Sequence, residues 1–195
     1  MTALLIRHAM TDMQDTLGER AGLPLSAEGQ AQARRLAVSL QRENLAAIFT
    51  SPIARAVETA AIVAEARGLT PISDASLREI DVGDWNNRTV ESLAGEDSWK
   101  FFNSFRSGTR CPGGEMTIEA QTRVVVFLER ISRQYPDATV AIVSHADVIR
   151  AAICHYLGVP LDLSLRLRIS HASISTLALH EFGAELIALN VGSGA

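Results

Sequence analysis

Arg7 and His8 close the first apolar run of the chain, Ala3-Leu4-Leu5-Ile6, and so put a guanidinium and an imidazole at the C-terminal tip of a predicted strand. In an open α/β sheet that tip is where ligands bind. A second apolar run, Val140-Ala141-Ile142-Val143, ends in Ser144-His145-Ala146 and leads into a helical stretch, so a second imidazole is expected beside the first. Ser51-Pro52-Ile53-Ala54-Arg55-Ala56 follows a third strand-like run and puts Arg55 in the first turn of the next helix. Cations converging beside helix N-termini, whose free N–H groups are donors, form an anion site, and phosphate is its natural guest. Leu77-Arg78-Glu79 adds a carboxyl group. Phosphate ester cleavage needs a proton on the leaving oxygen, and like charge from a bound dianion would raise a glutamate's pKa toward that task. Glu79 could instead pair Arg78 or Arg55, with Asp81 and Asp84 as other acid candidates, and Thr11 could reach a phosphate oxygen or cap its loop.

The elements that must position these groups are legible from spacing. Ala33, Leu36, Ala37 and Leu40 stand at i, i+3, i+4, i+7, and Ser26 is placed to cap that helix. The same template fits Val57, Ala60, Ala61 and Ala64, then Val124, Phe127, Leu128 and Ile131, then Ile149, Ala152, Ile153 and Tyr156. Between them lie strand-like runs at 46–50, 70–73 and 139–143, with two more at 174–179 and 186–190 joined through His180-Glu181-Phe182-Gly183-Ala184. Alternating strands and helices with a terminal hairpin predict a three-layer α/β/α sandwich around a mostly parallel, mixed sheet.

With 195 residues, 47% apolar and 21% charged, the chain is expected to form one domain over 1–195 with a sizeable core. A net charge of −4 from interspersed acidic and basic residues gives no field to attract nucleic acid or an anionic membrane. Cys111 and Cys154 lack zinc-ligand spacing, and His155, His171 and His180 have no partner at metal-like spacing, so no metal is expected and the latter histidines are read as structural. The leading apolar run is short for a signal peptide and no run approaches a membrane span, which makes the cytoplasm the expected location.

Residues 81–114 interrupt the alternation and hold Trp85, Trp99, Phe101, Phe102 and Phe105. Such an insertion reads as a lid over the site, as a satellite hydrophobic cluster packed on the body, or as both together. On the lid reading Trp85, Arg106 and Arg110 contact substrate, Arg106 or Arg110 meeting a second charge.

Taken in order, the motifs resemble those of the histidine phosphatase, or phosphoglycerate-mutase-like, superfamily. They are Arg7-His8-Ala9-Met10-Thr11, Leu25-Ser26-Ala27-Glu28-Gly29-Gln30-Ala31-Gln32-Ala33, Ser51 to Ala60, Leu77 to Glu79, Pro112 to Met116, and Val143 to Arg150. The resemblance spans nearly the whole chain. It implies a phosphoglycerate-mutase-like fold, no cofactor, and His8 as a nucleophile forming a phosphohistidine that water hydrolyses. It also implies Glu79 as acid and then base, His145 as a donor to the phosphoryl group, and Arg7 and Arg55 as its clamp, with Thr11 and Ala146 beside the phosphate. Ala9 and Ala146 replace the usual glycines, Met10 a usual Glu or Gln, and Gln14 a frequent Asn at the substrate rim. The expected partner is a small phosphorylated metabolite, with a homodimer allowed. The alternatives are a phosphoglycerate mutase using the same site, or a non-catalytic phosphate or phosphopeptide binding module.

Overall fold

The computed structural model describes residues 1–12, 16–18 and 23–192. Its centre is a six-stranded sheet in the order β3-β2-β4-β1-β5-β6, formed by β1 (Thr2–Arg7), β2 (Leu45–Thr50), β3 (Ile72–Ser73), β4 (Thr139–Ser144), β5 (Ile174–His180) and β6 (Gly183–Val191). The first four strands are parallel; β5 runs antiparallel to β1, and β6 antiparallel to β5. The sheet is therefore mixed and mostly parallel, as its sequence pattern predicts. The 70–73 run shortens to two residues, and the terminal hairpin closes through Glu181 and Phe182, with His180 opposite Gly183.

Alternation along β1 explains the layers, because successive side chains point to opposite faces. Leu4 and Ile6 pack with Ile48, Ala141 and Val143 beneath α1 (Ala27–Ser39) and α2 (Ala54–Glu65), which contribute Leu36, Ala56, Ala60 and Val63. Ala3 and Leu5 pack with Phe49, Val140 and Ile142 on the other face, beneath α5 (Thr117–Gln134) and α6 (Ala146–Leu157), which bring Val124, Phe127, Ile149 and Ile153. A one-residue slip of β1 would exchange these sets, so the register that fixes Arg7 opposite Ser144 is set by the core itself.

The insertion folds into two short helices, α3 (Val90–Leu93) and α4 (Asp97–Ser104), around a small core of its own. Trp85 is 2% exposed, with its ring 5.3 Å from Trp99 and 5.4 Å from Phe102, and Ile80, Val82 and Leu93 complete the cluster. Phe101 and Phe105 remain exposed. No helix among the described residues is long and apolar enough to cross a membrane.

Candidate active site

The C-terminal ends of β1, β2 and β4 lie side by side, Arg7 opposite Ser144 and Thr50 opposite Val143, so the residues that follow them, His8, Ser51 and His145, share one sheet edge. Because β5 runs the other way, its N-terminal approach, Ser170 to Ser173, arrives at that same edge. There a cavity of about 300 Å³ is floored by Arg7, His8, Thr11, Arg55, Glu79, Ala146, Asp147, Arg150 and His171. Leu17, Leu23, Ile80, Val82 and Val90 give it an apolar rim.

His8 is almost fully buried, and its tautomer follows from its partners. Nδ1 lies 2.8 Å from the Ala9 carbonyl oxygen, which can only accept, so Nδ1 carries the proton and Nε2 keeps its lone pair. Arg55 Nε donates to that lone pair at 3.1 Å. Burial, reinforced by the Arg55 and Arg7 cations, holds His8 well below the usual imidazole pKa, so the ring is neutral. Arg7 is fixed by a 2.7 Å bond from Nη1 to the Ile169 carbonyl, while its Nε is buried without a partner among the described residues.

His145 sits behind Arg55 instead of lining the cavity. Its Nδ1 is 3.3 Å from Arg55 Nη2 and 3.8 Å from Glu79 Oε2, and its Nε2 is 2.8 Å from Ser51 Oγ. Burial, then the neighbouring His8 and Arg55, keeps this imidazole neutral as well. Glu79 has its pKa raised to about 7, first by burial and then by the Asp147 carboxylate, against the opposing pull of Arg55 and Arg7. The like charge that raises it is thus already built into the protein, in a residue the sequence reading passed over. Glu79 does not pair Arg78 or Arg55 as the competing reading allowed; its Oε1 accepts from the Ile80 N–H at 3.0 Å.

The motif residues that do not touch the cavity hold those that do. Ser26 caps α1 through the Gly29 N–H and donates to the Met10 carbonyl, and Gln32 accepts from the Met10 N–H. A Cβ at Gly29 would lie 1.9 Å from the Met10 oxygen, so glycine there lets α1 approach the segment after His8. Thr59 accepts from the Ala9 N–H and donates to the Arg55 carbonyl, tying the segment after His8 to the first turn of α2. Glu115 accepts from Arg123 and from the Asp81 N–H, and Arg123 also donates to the carbonyls of Ser76 and Glu79, which fixes the backbone on both sides of the carboxyl group.

Four expectations need correction. Arg106 is 3% exposed and makes two bonds to Asp147, at 3.0 and 3.1 Å, with its guanidinium over the Phe102 ring; it ties the insertion to α6 and does not line the cavity. Arg110 pairs with Glu119 at the surface. Trp85 is consumed by the insertion's core, so the satellite-cluster reading describes it and the substrate-stacking one does not. His171, read as a structural residue on a C-terminal strand, lies in the turn before β5 with its ring 5.4 Å from His8, and burial with the Arg7 and Arg55 charges pushes its pKa down to about 4. Gln14 lies outside the described residues. Neither Ala9 nor Ala146 needs a positive φ, so their methyl groups carry no backbone strain. Ala172 does, at φ 51°, and its N–H donates to the Arg7 carbonyl at 3.1 Å, which docks the His171 turn on the β1 tip.

Sequence reasoning missed Asp147, Arg150 and His171 as cavity residues. Arg150 closes the Val143 to Arg150 motif and was within its reach, but His171 belongs to no motif. Among the described residues no group of three or more His, Cys, Asp or Glu side chains could hold a metal ion.

Known proteins resemble this chain over most of its length. Phosphoserine phosphatase 1 of Hydrogenobacter thermophilus is 34% identical over 96% of this chain and 91% of its own length. "Probable phosphoglycerate mutase GpmB" of Enterobacter sp. is 31% identical over 91% of this chain and 84% of its own. The solved structure of the alpha-ribazole phosphatase from Shigella flexneri superposes over all of both chains with a TM-score of 0.86 at 26% identity. The family model of the histidine phosphatase superfamily (branch 1) matches residues 3–192, from the strand that leads to His8 to the end of the last hairpin, and the chain belongs to that superfamily.

Proposed function

We propose that the protein is a phosphatase that hydrolyses a small phosphorylated metabolite through a phosphohistidine on His8, without a cofactor. The observation that carries this reading is the pairing of a neutral His8, its Nε2 lone pair turned to Arg55, with a Glu79 that still holds its proton near neutral pH. A phosphomonoester entering the cavity takes the N–H groups of Arg55 and Arg7, which uncovers Nε2. Each such cation is worth roughly 4 kcal/mol per unit of phosphoryl charge at about 4 Å and an effective dielectric of about 20, before desolvation. Nε2 attacks phosphorus, the ester P–O bond breaks, and Glu79 gives its proton to the leaving oxygen. Water then attacks the phosphohistidine, Glu79 takes its proton, and the P–N bond breaks to release phosphate. Thr11 and the N-terminal turn of α6 at Ala146 face the equatorial oxygens, and His145 reaches them from behind Arg55 once that guanidinium turns to the phosphoryl group.

The cations of the insertion favour hydrolysis over mutase chemistry, which needs a second anion held in place. Arg88 is paired with Glu96, Lys100 with Asp97, Arg106 with Asp147 and Arg110 with Glu119, and none lines the cavity. The test is chemical trapping. Brief incubation with phosphorus-labelled substrate and alkaline quenching is expected to leave acid-labile label that His8→Ala abolishes, and label on any other residue overturns the assignment. Parallel assays of phosphate release and of phosphoglycerate isomerisation separate phosphatase from mutase.

A further inference from the structure

Ser51 is fully buried at the end of β2, and its hydroxyl is 2.8 Å from His145 Nε2. The hydroxyl has one other bond among the described residues, accepting from the Ile53 N–H at 3.3 Å where α2 begins. A neutral imidazole carries one proton, so what stands at Nε2 decides what Nδ1 can do. With no phosphoryl group bound, Nδ1 faces Arg55 Nη2, a donor, and serves as an acceptor with the proton on Nε2. A phosphoryl oxygen held by Arg55 reverses the demand, because Nδ1 then faces an acceptor and must carry the proton. A hydroxyl is suited to both conditions. It accepts from Nε2–H in one and donates to a bare Nε2 in the other, whereas a carboxylate could only accept and would keep the proton on Nε2.

We propose that Ser51 is a positioning residue: in the phosphoryl-bound enzyme its hydroxyl, oriented by the Ile53 N–H, donates to His145 Nε2 and so leaves Nδ1–H directed at the phosphoryl oxygen. The chain of bonds runs from the first turn of α2 through Ser51 and His145 to the phosphoryl group, each bond polarising the next. The inference rests on the phosphoryl-transfer reading above and adds to it the residue that sets the donor. It also accounts for a serine at a site with no access to substrate.

The experiment is nitrogen NMR of enzyme labelled with [15N]histidine, titrated with inorganic phosphate and with orthovanadate, in the wild type, Ser51→Ala and Ser51→Thr. Wild-type enzyme saturated with either anion is expected to show His145 protonated on Nδ1 with Nε2 as acceptor. Ser51→Ala, which takes away the donor to Nε2, is expected to lower the fraction of His145 protonated on Nδ1 and to lower kcat on the order of 10²-fold, the loss typical of one donor to a developing oxyanion, with KM changed far less. Ser51→Thr, which keeps the hydroxyl, is expected to restore Nδ1–H and most of kcat. Nε2–H in the anion-saturated wild type overturns the proposal, as does Ser51→Ala holding Nδ1–H as fully as the wild type, whether or not its kcat falls. Absence of any His8 or His145 response to both anions is a different result, and it overturns the phosphoryl site itself.

Discussion

Glu79 owes its protonation to its surroundings. Burial and the Asp147 carboxylate raise its pKa to about 7, so the acid form that can protonate a leaving oxygen is present below that pH and lost above it. For an alkyl phosphomonoester, kcat/KM is expected to fall as pH rises through about 7, while for p-nitrophenyl phosphate, whose leaving group needs no proton, that limb is absent. Glu79→Gln is expected to lower alkyl ester turnover about 10²- to 10⁴-fold and to spare the nitrophenyl ester far more; equal losses on both would remove Glu79 as the acid. Asp147→Asn removes the charge that opposes ionisation, so the limb is expected to move to lower pH. The meeting of Arg7, His8, Arg55 and Glu79 at one cavity was legible because each belongs to a short run tied to a strand or helix end; His145, expected there on the same ground, sits behind Arg55. Asp147 was not, since its effect on Glu79 arises only from the fold that brings α6 against the segment after β3.

At the scale of elements, the insertion is joined to α6 by the Arg106–Asp147 pair. Burial alone would favour an uncharged Arg106, yet Asp147 holds it charged, and the Arg106 and Arg150 charges keep Asp147 well below the usual carboxylate range against its own burial. A depressed carboxylate contributes stability that is complete above its unfolded pKa and lost as pH falls toward the folded value, so this junction weakens in acid. Arg106→Ala is expected to destabilise the protein by about 2–4 kcal/mol at neutral pH, as breaking one side of a buried pair does, with little change in KM for singly or doubly charged substrates. Denaturant titration and steady-state kinetics together check this, and a selective rise in KM for the doubly charged substrate would restore Arg106 to the binding site. Gly29→Ala tests a different junction, where α1 meets the segment after His8. Because its Cβ would meet a backbone oxygen, kcat/KM is expected to drop by about 10²-fold, whereas Gly95→Ala, with open space around it, is expected to be silent. Helices and strands could be read from their periods. The turn carrying His171 could not, because it has no period and its place follows from antiparallel pairing of β5.

For the molecule as a whole, the site is assembled from segments that begin at Arg7 and end at His171, all brought to one edge by the strand order. Removing the chain from Ser170 onward is expected to abolish phosphate binding, read by calorimetry or anion-induced shifts, since it takes away His171 and the strand that pairs one side of β1. The position of β1 has a further consequence during synthesis. Its two neighbours are β4 and β5, so an apolar strand made early keeps both edges unpaired while most of the chain is still being translated. At cellular elongation rates that interval is on the order of ten seconds, during which Ala3-Leu4-Leu5-Ile6 is a template for wrong partners. The strand at whose tip His8 sits is therefore also an edge that the nascent chain must keep from wrong partners until β4 and β5 have been made.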